Sequence, residues 1–232
     1  MKVGFIGLGH MGGPMCRNII KGGHEVVVHD LSEAAVQACV DVGGTAGGSI
    51  ANVAGQVEVV MTSLPMPGDV EAVALGPGGI GENAKAGTIY IDLSTNSPVM
   101  MRKIAGELAG QEIVTLDGPV SGGVVGAEKA TIAIMVGGDK GAFDSCMPVF
   151  ESFGKTIVHT GELGTGCIAK LVNNMIAFTN MAAGAEGLML GVAAGMDPVI
   201  LNEIIRNSSG NSMGYRGVAK SALERDFSPA FT

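Results

Sequence analysis

One stretch near the start restricts the fold more than any other. Lys2-Val3-Gly4-Phe5-Ile6 is a short apolar run that ends in Gly7-Leu8-Gly9-His10-Met11-Gly12. A helical pattern follows from Met11 to Lys21, and Gly22-Gly23 closes it. Glu25-Val26-Val27-Val28-His29 then reads as a second strand that stops on Asp30. A GxGxxG alone says little in a chain with 38 glycines. Set between a strand and a helix, with an acid ending the next strand, it is the fingerprint of a dinucleotide-binding βαβ unit. Gly7, Gly9 and Gly12 let backbone approach a pyrophosphate, and the helix N-terminus faces its charge. Leu8, His10 and Met11 complete the loop, although the His10 side chain is not needed for phosphate binding. Asp30 can accept hydrogen bonds from the adenine-side ribose hydroxyls. A 2′-phosphate would meet a like charge there, and Leu31 offers no arginine, so the sequence favours NAD over NADP. Without a ligand, the glycines are tight turns and Asp30 is a cap near Ser32.

Strand and helix patterns go on alternating. Val57–Ser63, Thr88–Ile91, Ile113–Asp117, Thr131–Val136 and Lys155–His159 read as strands. Leu31–Val40, Ser49–Ala54, Pro98–Ala109 and Phe143–Ser152 read as helices. Such alternation implies an α/β fold, a parallel sheet with helices on both faces. The turn Leu64-Pro65-Met66-Pro67 is stiffened by its prolines and lies at a strand's carboxyl end, where ligands bind in such sheets. Ser121-Gly122-Gly123 exposes a hydroxyl and consecutive backbone N–H groups, a concave donor set suited to a carboxylate. Its alternative is a plain flexible loop. His159 reads as a strand-end structural residue rather than a base, and His24 and His29 have no metal-like spacing.

From Thr165 to about Ala194 the chain reads as one long helix, on the order of 45 Å at 1.5 Å per residue. Within its body only Lys170 and Glu186 carry formal charge. Lys170 and Asn174 are four apart and share a face, with Asn173 beside them. Burying these groups without partners would be costly. The lysine could instead reach water along its aliphatic stem. A membrane span is disfavoured, because Asn173, Asn174, Thr179, Asn180 and Glu186 interrupt the run and no basic flanks adjoin it. The dinucleotide-binding domain is therefore expected at residues 1–163 and a helical C-terminal domain at 164–232. The latter continues with helices from Pro198 to Arg206 and from Gly217 to about Arg225, then a loop over 226–232.

Composition narrows the function. A net charge of −8 and the lack of any basic run argue against a nucleic-acid partner. Cys16, Cys39, Cys146 and Cys167 have neither metal-ligand nor disulfide spacing, so they read as reduced thiols of a cytoplasmic protein, with no metal site. No signal peptide pattern precedes the first strand.

Four motifs in order now carry a resemblance. They are Gly7-Leu8-Gly9-His10-Met11-Gly12; Asp92-Leu93-Ser94-Thr95 with Pro98; Asp117-Gly118-Pro119-Val120-Ser121-Gly122-Gly123; and Gly164-Thr165-Gly166 leading to Lys170, Asn173 and Asn174. Over its whole length the chain resembles the β-hydroxyacid dehydrogenase family, in its 3-hydroxyisobutyrate dehydrogenase and tartronate semialdehyde reductase branch. Gly118 departs mildly from the alanine usual there. The resemblance implies a Rossmann-like NAD-binding domain followed by an all-helical domain, and NAD-dependent oxidation of a small 3-hydroxy acid. Lys170 falls on the catalytic lysine and Asn174 on its supporting amide. Ser121, Gly122 and Gly123, with Asn173, fall on the substrate side. Cofactor contacts fall on the glycine loop, Asp30, Leu64, Pro65 and Thr95. Tartronate or succinic semialdehyde reduction is the alternative within the class, and a non-catalytic dinucleotide-binding or oligomerisation module is the alternative outside it. The intact Lys170 and Asn174 argue against the module. Family members run on through further helices, so the helical domain is expected to be incomplete. The long helix should then expose part of its apolar face and support a homo-oligomer, a dimer or tetramer.

Overall fold

A computed structural model describes residues 1–228; of the loop expected over 226–232, residues 229–232 lie outside it. By contacts the chain divides into two compact units, Met1–Lys170 and Leu171–Thr232. The contact division falls inside the long helix, whose first turns are anchored to the sheet, as shown below.

The first unit contains β1 (Lys2–Ile6), α1 (Gly12–Lys21), β2 (Glu25–His29), α2 (Glu33–Val40), β3 (Thr45–Ala46), α3 (Ile50–Ala54), β4 (Val59–Thr62), α4 (Pro67–Leu75), α5 (Ile80–Asn83), β5 (Ile89–Asp92) and α6 (Pro98–Ala109). It continues with β6 (Val114–Asp117), β7 (Val120–Ser121), α7 (Gly123–Glu128), β8 (Ile132–Gly137), α8 (Lys140–Ser145), α9 (Met147–Phe153) and β9 (Gly154–Gly161). Serine hydroxyls at 32, 49 and 97 cap α2, α3 and α6 by accepting backbone N–H groups, which fixes where these helices begin.

The sheet order is β3-β2-β1-β4-β5-β6-β8-β7, with β9 beside β8. From β3 to β6 every pairing is parallel, as expected. The expectation fails at β8, which runs antiparallel to both β6 and β7. After β6 the chain spends Val120 and Ser121 as a strand against β8 and returns through short α7. It never makes the long crossover that a parallel neighbour requires.

Both faces of the sheet are buried, so its central strands are mostly apolar, with Thr62, Asp92, Thr115 and Asp117 the buried polar residues among them. Val3, Phe5, Val26, Val28, Val59 and Met61 pack on one face with Met15, Ile19, Phe150 and Phe153. Ile6, Val27, Val60 and Tyr90 pack on the other with Ile104 and Leu108. This two-residue alternation is that of a pleated strand.

The helix α10 (Thr165–Ala193) carries the chain into the second unit, which adds α11 (Pro198–Arg206) and α12 (Met213–Glu224). Helix α12 starts earlier than the expected Gly217, because Ser212 caps it by accepting the Tyr215 N–H. Glycines let these helices pack closely on α10. A Cβ on Gly184 would lie 2.9 Å from the Tyr215 ring, and one on Gly191 would overlap Leu201. Much of α10 remains apolar and exposed, with Phe178 at 55% and Leu190 at 72%. By length and composition alone this helix could cross a membrane.

Candidate active site

Strand register builds the site. Ile6 pairs with His29 and Thr62, Thr62 with Asp92, and Asp92 with Asp117. The carboxyl ends of five strands therefore form one line, and the loops that follow them share one edge of the sheet.

The first loop is the glycine cradle. Gly7 has φ +91°, and a Cβ there would lie 2.9 Å from the Leu64 side chain and overlap Ser63 O. A Cβ on Gly12 would overlap Gly7 O, so the turn closes only without side chains at both positions. Gly9 has open space where its side chain would be, and Gly9 and His10 are exposed. Met11 stands at the N-cap of α1 with no side-chain cap; the Gly13 N–H goes to Gly9 O and Pro14 has none, so the Gly12 N–H is the one left for an outside acceptor in this first turn among the described residues. An open, uncapped helix N-terminus on a tight glycine turn fits a dinucleotide pyrophosphate.

Asp30 holds this loop to β2. Its Oδ2 accepts the Leu8 N–H at 2.6 Å, and its Oδ1 accepts the Ser32 N–H at 2.7 Å. The cap of α2 itself is Ser32. A carboxylate has room for about four hydrogen bonds, so two acceptor positions remain for ribose hydroxyls.

Asp92 organises the next two loops. Almost fully buried, its carboxylate accepts from Thr62 Oγ1 (2.9 Å), Ser94 Oγ (2.6 Å) and Asn96 Nδ2 (2.9 Å). Burial pushes its pKa up, and these donors oppose the shift. Ser94 Oγ in turn accepts the Leu64 N–H at 2.9 Å. One buried carboxylate thus fixes both the Leu64-Pro65 turn and the loop that presents Thr95. Pro65 and Thr95 are exposed on that edge and Leu64 is half-buried.

Asp117, fully buried at the end of β6, accepts the Gly164 and Cys167 N–H groups, each at 2.6 Å. Burial raises its pKa and the two N–H donors oppose the rise. Gly166 lies between them, and a Cβ there would come within 2.8 Å of Asp117 O and still nearer to Met135 O. These contacts press the first turn of α10 onto the sheet and set the direction of Lys170. The lysine is half-buried and makes no hydrogen bond or ion pair among the described residues. Burial lowers its pKa from the ordinary lysine value. Asn173 is exposed and Asn174 half-buried, and they continue the same helix in the second unit.

Ser121 pairs with Ala133 across β7 and β8. Gly122 and Gly123 follow with φ +141° and +65°, conformations that only glycine adopts readily. Gly122 is the N-cap of α7 and carries no side chain to cap it. His159 is structural, as expected, its Nε2 lying 2.8 Å from Gly138 O and its ring packed on Phe143. Sequence reasoning placed Asp92, Asp117 and Gly166 in motifs but missed what they hold. An acid ending a strand and followed by a small-residue loop was the available signal.

Sheet order, aligned strand ends and the open glycine cradle define the class first: a dinucleotide-binding protein of the doubly wound type. Residues 2–161 match the family model described as the NAD binding domain of 6-phosphogluconate dehydrogenase. Residues 164–232 match the NAD-binding model of NADP-dependent 3-hydroxyisobutyrate dehydrogenase. The chain is 43% identical over 232 residues to the 2-(hydroxymethyl)glutarate dehydrogenase of Eubacterium barkeri, covering 100% of this chain and 77% of that protein. It is 41% identical over 210 residues to the 3-hydroxyisobutyrate dehydrogenase of Pseudomonas aeruginosa, covering 90% and 70%. The solved 3-hydroxyisobutyrate dehydrogenase of Mycobacterium tuberculosis with L-serine superposes with a TM-score of 0.90 at 32% identity, covering 100% of this chain and 81% of that one. The chain belongs to the β-hydroxyacid dehydrogenase family, in its 3-hydroxyisobutyrate dehydrogenase branch, and is an NAD-linked oxidoreductase of hydroxy acids.

Proposed function

We propose that this protein oxidises a small 3-hydroxy acid of the 3-hydroxyisobutyrate type, with Lys170 as general acid/base. The observation that carries the reading is the state of Lys170. It is half-buried and unpaired among the described residues, its pKa is lowered by burial, and it stands one turn from the Asp117 anchor of α10. A lysine whose charge is disfavoured can take the hydroxyl proton as the substrate is oxidised and return it in the reverse direction. NAD, when bound, accepts the hydride. Asn174, four residues along the helix, holds the substrate oxygen or the lysine in line, with Asn173 beside it. The Ser121 hydroxyl and the Gly122 and Gly123 N–H groups bind the substrate carboxylate. Gly7, Leu8, Gly9, His10, Met11 and Gly12 hold the pyrophosphate, and Asp30 holds the adenosine ribose. Leu64, Pro65 and Thr95 line the dinucleotide from the neighbouring loops.

Asp30 supports NAD as the preferred cofactor, since a 2′-phosphate would meet its charge. Four free, buried thiols support a reducing cytoplasmic location. The exposed apolar face of α10 supports a homo-oligomer, a dimer or tetramer, and the polar Asn173, Asn174, Thr179, Asn180 and Glu186 along it disfavour a membrane partner. The acidic net charge of −8 disfavours nucleic acid. The test is dinucleotide reduction with 3-hydroxyisobutyrate, and with L-serine and the semialdehydes as competitors for the assignment. Failure of every small 3-hydroxy acid to give a rate would sink the proposal.

A further inference from the structure

Two side chains grip the start of α10. Asp117 accepts the Gly164 N–H from the end of β6. The second grip comes from Arg102, on the second turn of α6. Its Nε donates to Leu163 O at 3.1 Å. The guanidinium also lies against Gly164. A Cβ on that glycine would stand 3.1 Å from Arg102 Nη2, 3.2 Å from its Nε and 3.1 Å from Pro98 Cβ. Gly164 has φ +93°, and its carbonyl accepts the Ile168 N–H, the first bond of the α10 ladder. A side chain there would be both strained and crowded, so glycine lets the guanidinium close over the turn. Arg102 is exposed and makes no ion pair within 4.0 Å among the described residues. The one hydrogen bond its side chain makes among them goes to this turn. The other end of α6 belongs to the cofactor side. Ser97 caps the helix and Pro98 opens it, directly after Thr95 and Asn96, the partner of Asp92. Met101 and Ile104 share one core cluster with Cys167 of α10. Helix α6 thus runs from the loop that presents Thr95 to the turn that launches Lys170.

We propose that Arg102 is a positioning residue for Lys170, a clamp that ties the Thr95 loop through α6 to the Leu163-Gly164 turn. The proposal rests on the reading of Lys170 as the acid–base group. Lys170 stands on the second turn of α10, so a tilt of the first turn moves its amine directly. Asp117 fixes the N–H side of Gly164 and Arg102 the carbonyl side of Leu163, and together they leave the turn between them one orientation. A guanidinium suits the task because its planar donors are pre-organised and lose less freedom per bond than an ammonium. One exposed hydrogen bond adds little to global stability. Its effect falls on local opening of the turn it holds.

Two measurements on the full chain test this. Hydrogen exchange of the Gly164 and Cys167 amides, which donate to Asp117, reads the turn without turnover. Arg102→Met should speed both by about tenfold, the loss expected for one charge-assisted hydrogen bond. Lys103→Met should leave them unchanged. Lys103 is the next residue of α6 and pairs with Glu71, so it controls for the loss of a charge from the same helix. In dinucleotide reduction, Arg102→Met should lower kcat by about tenfold while KM for dinucleotide and hydroxy acid is retained. Arg102→Lys keeps a donor for Leu163 O and should recover part of that loss. Exchange as slow as in the wild type, or an unaltered kcat, would overturn the clamp. So would a change confined to KM for the hydroxy acid, which marks a residue that touches substrate. Faster exchange in a protein that turns over no hydroxy acid leaves the grip on the turn standing and removes the acid–base reading of Lys170. Turnover with unaltered exchange does the reverse.

Discussion

Replacing Gly166 by alanine should destabilise the protein, although the same change inside a helix ordinarily stabilises it by about 0.5–1 kcal/mol. The reason is the anchor of α10. A Cβ at residue 166 would lie 2.8 Å from Asp117 O, where ordinary contact begins at 3.4 Å, a shortfall of about 0.6 Å. It would also lie 3.0 Å from Asp117 Oδ2 and nearer still to Met135 O. Two of these three atoms are backbone oxygens, which cannot rotate away. Overpacking costs about 1–3 kcal/mol, and a rigid site belongs at the upper end. Set against the helical gain, the net loss is about 2 kcal/mol. Gly187 in the same helix is the control, since it is exposed and has no neighbour within 4 Å of its Cβ position. Gly187→Ala should be neutral or stabilising by up to about 1 kcal/mol. Urea unfolding of both variants reads the contrast in midpoint. Turnover reads a second one, because lifting the first turn of α10 moves Lys170, and a misplacement of about 1 Å can cost about 10²-fold. If Gly166→Ala matched Gly187→Ala in midpoint and rate, the anchoring argument would be wrong.

The remaining predictions concern titration, the buried network and assembly. Under the proposed mechanism alcohol oxidation requires neutral Lys170, so its rate should rise with pH and level off below the ordinary lysine value of about 10.4. Reduction requires the protonated form and should fall across the same range; a kcat profile without that inflection would remove Lys170 from proton transfer. Ser94→Ala strips the Leu64 N–H of its acceptor and Asp92 of a donor, so it should cost about 1–3 kcal/mol in thermal unfolding and raise KM for the dinucleotide. An unchanged Tm would show that water replaces the hydroxyl. Phe178→Lys places a charge on the exposed apolar face of α10 and should shift sedimentation toward the monomer. A wild-type protein already monomeric at high concentration would contradict the assembly proposal.

Much of the fold was legible because its signals are local. The first βαβ unit announces itself through apolar runs closed by glycines, and Ser32, Ser49, Ser97 and Asp197 mark the starts of their helices. Long-range geometry was less accessible. The stretch from Phe143 to Ser152 reads as one helix but breaks at Cys146, where Pro148 opens the first turn of α9. Helix α7 hides behind Gly122, Gly123 and Gly126, which resemble a loop. The reversal of β8 depends on a two-residue strand too short to show a period. For the site, Asp30 was legible because its spacing from the glycine loop is fixed by the unit itself. Asp92 and Asp117 were not, since their roles depend on partners 30 and 50 residues away.

The central claim is that Lys170, held by the Asp117 anchor, moves the proton of the hydroxy acid. Its most direct test is the absorbance of reduced dinucleotide formed from 3-hydroxyisobutyrate by the wild-type protein and by Lys170→Ala. A fall in kcat of about 10²-fold or more, with dinucleotide affinity retained, is the predicted result. A Lys170→Ala variant that turns over at close to the wild-type rate would contradict it.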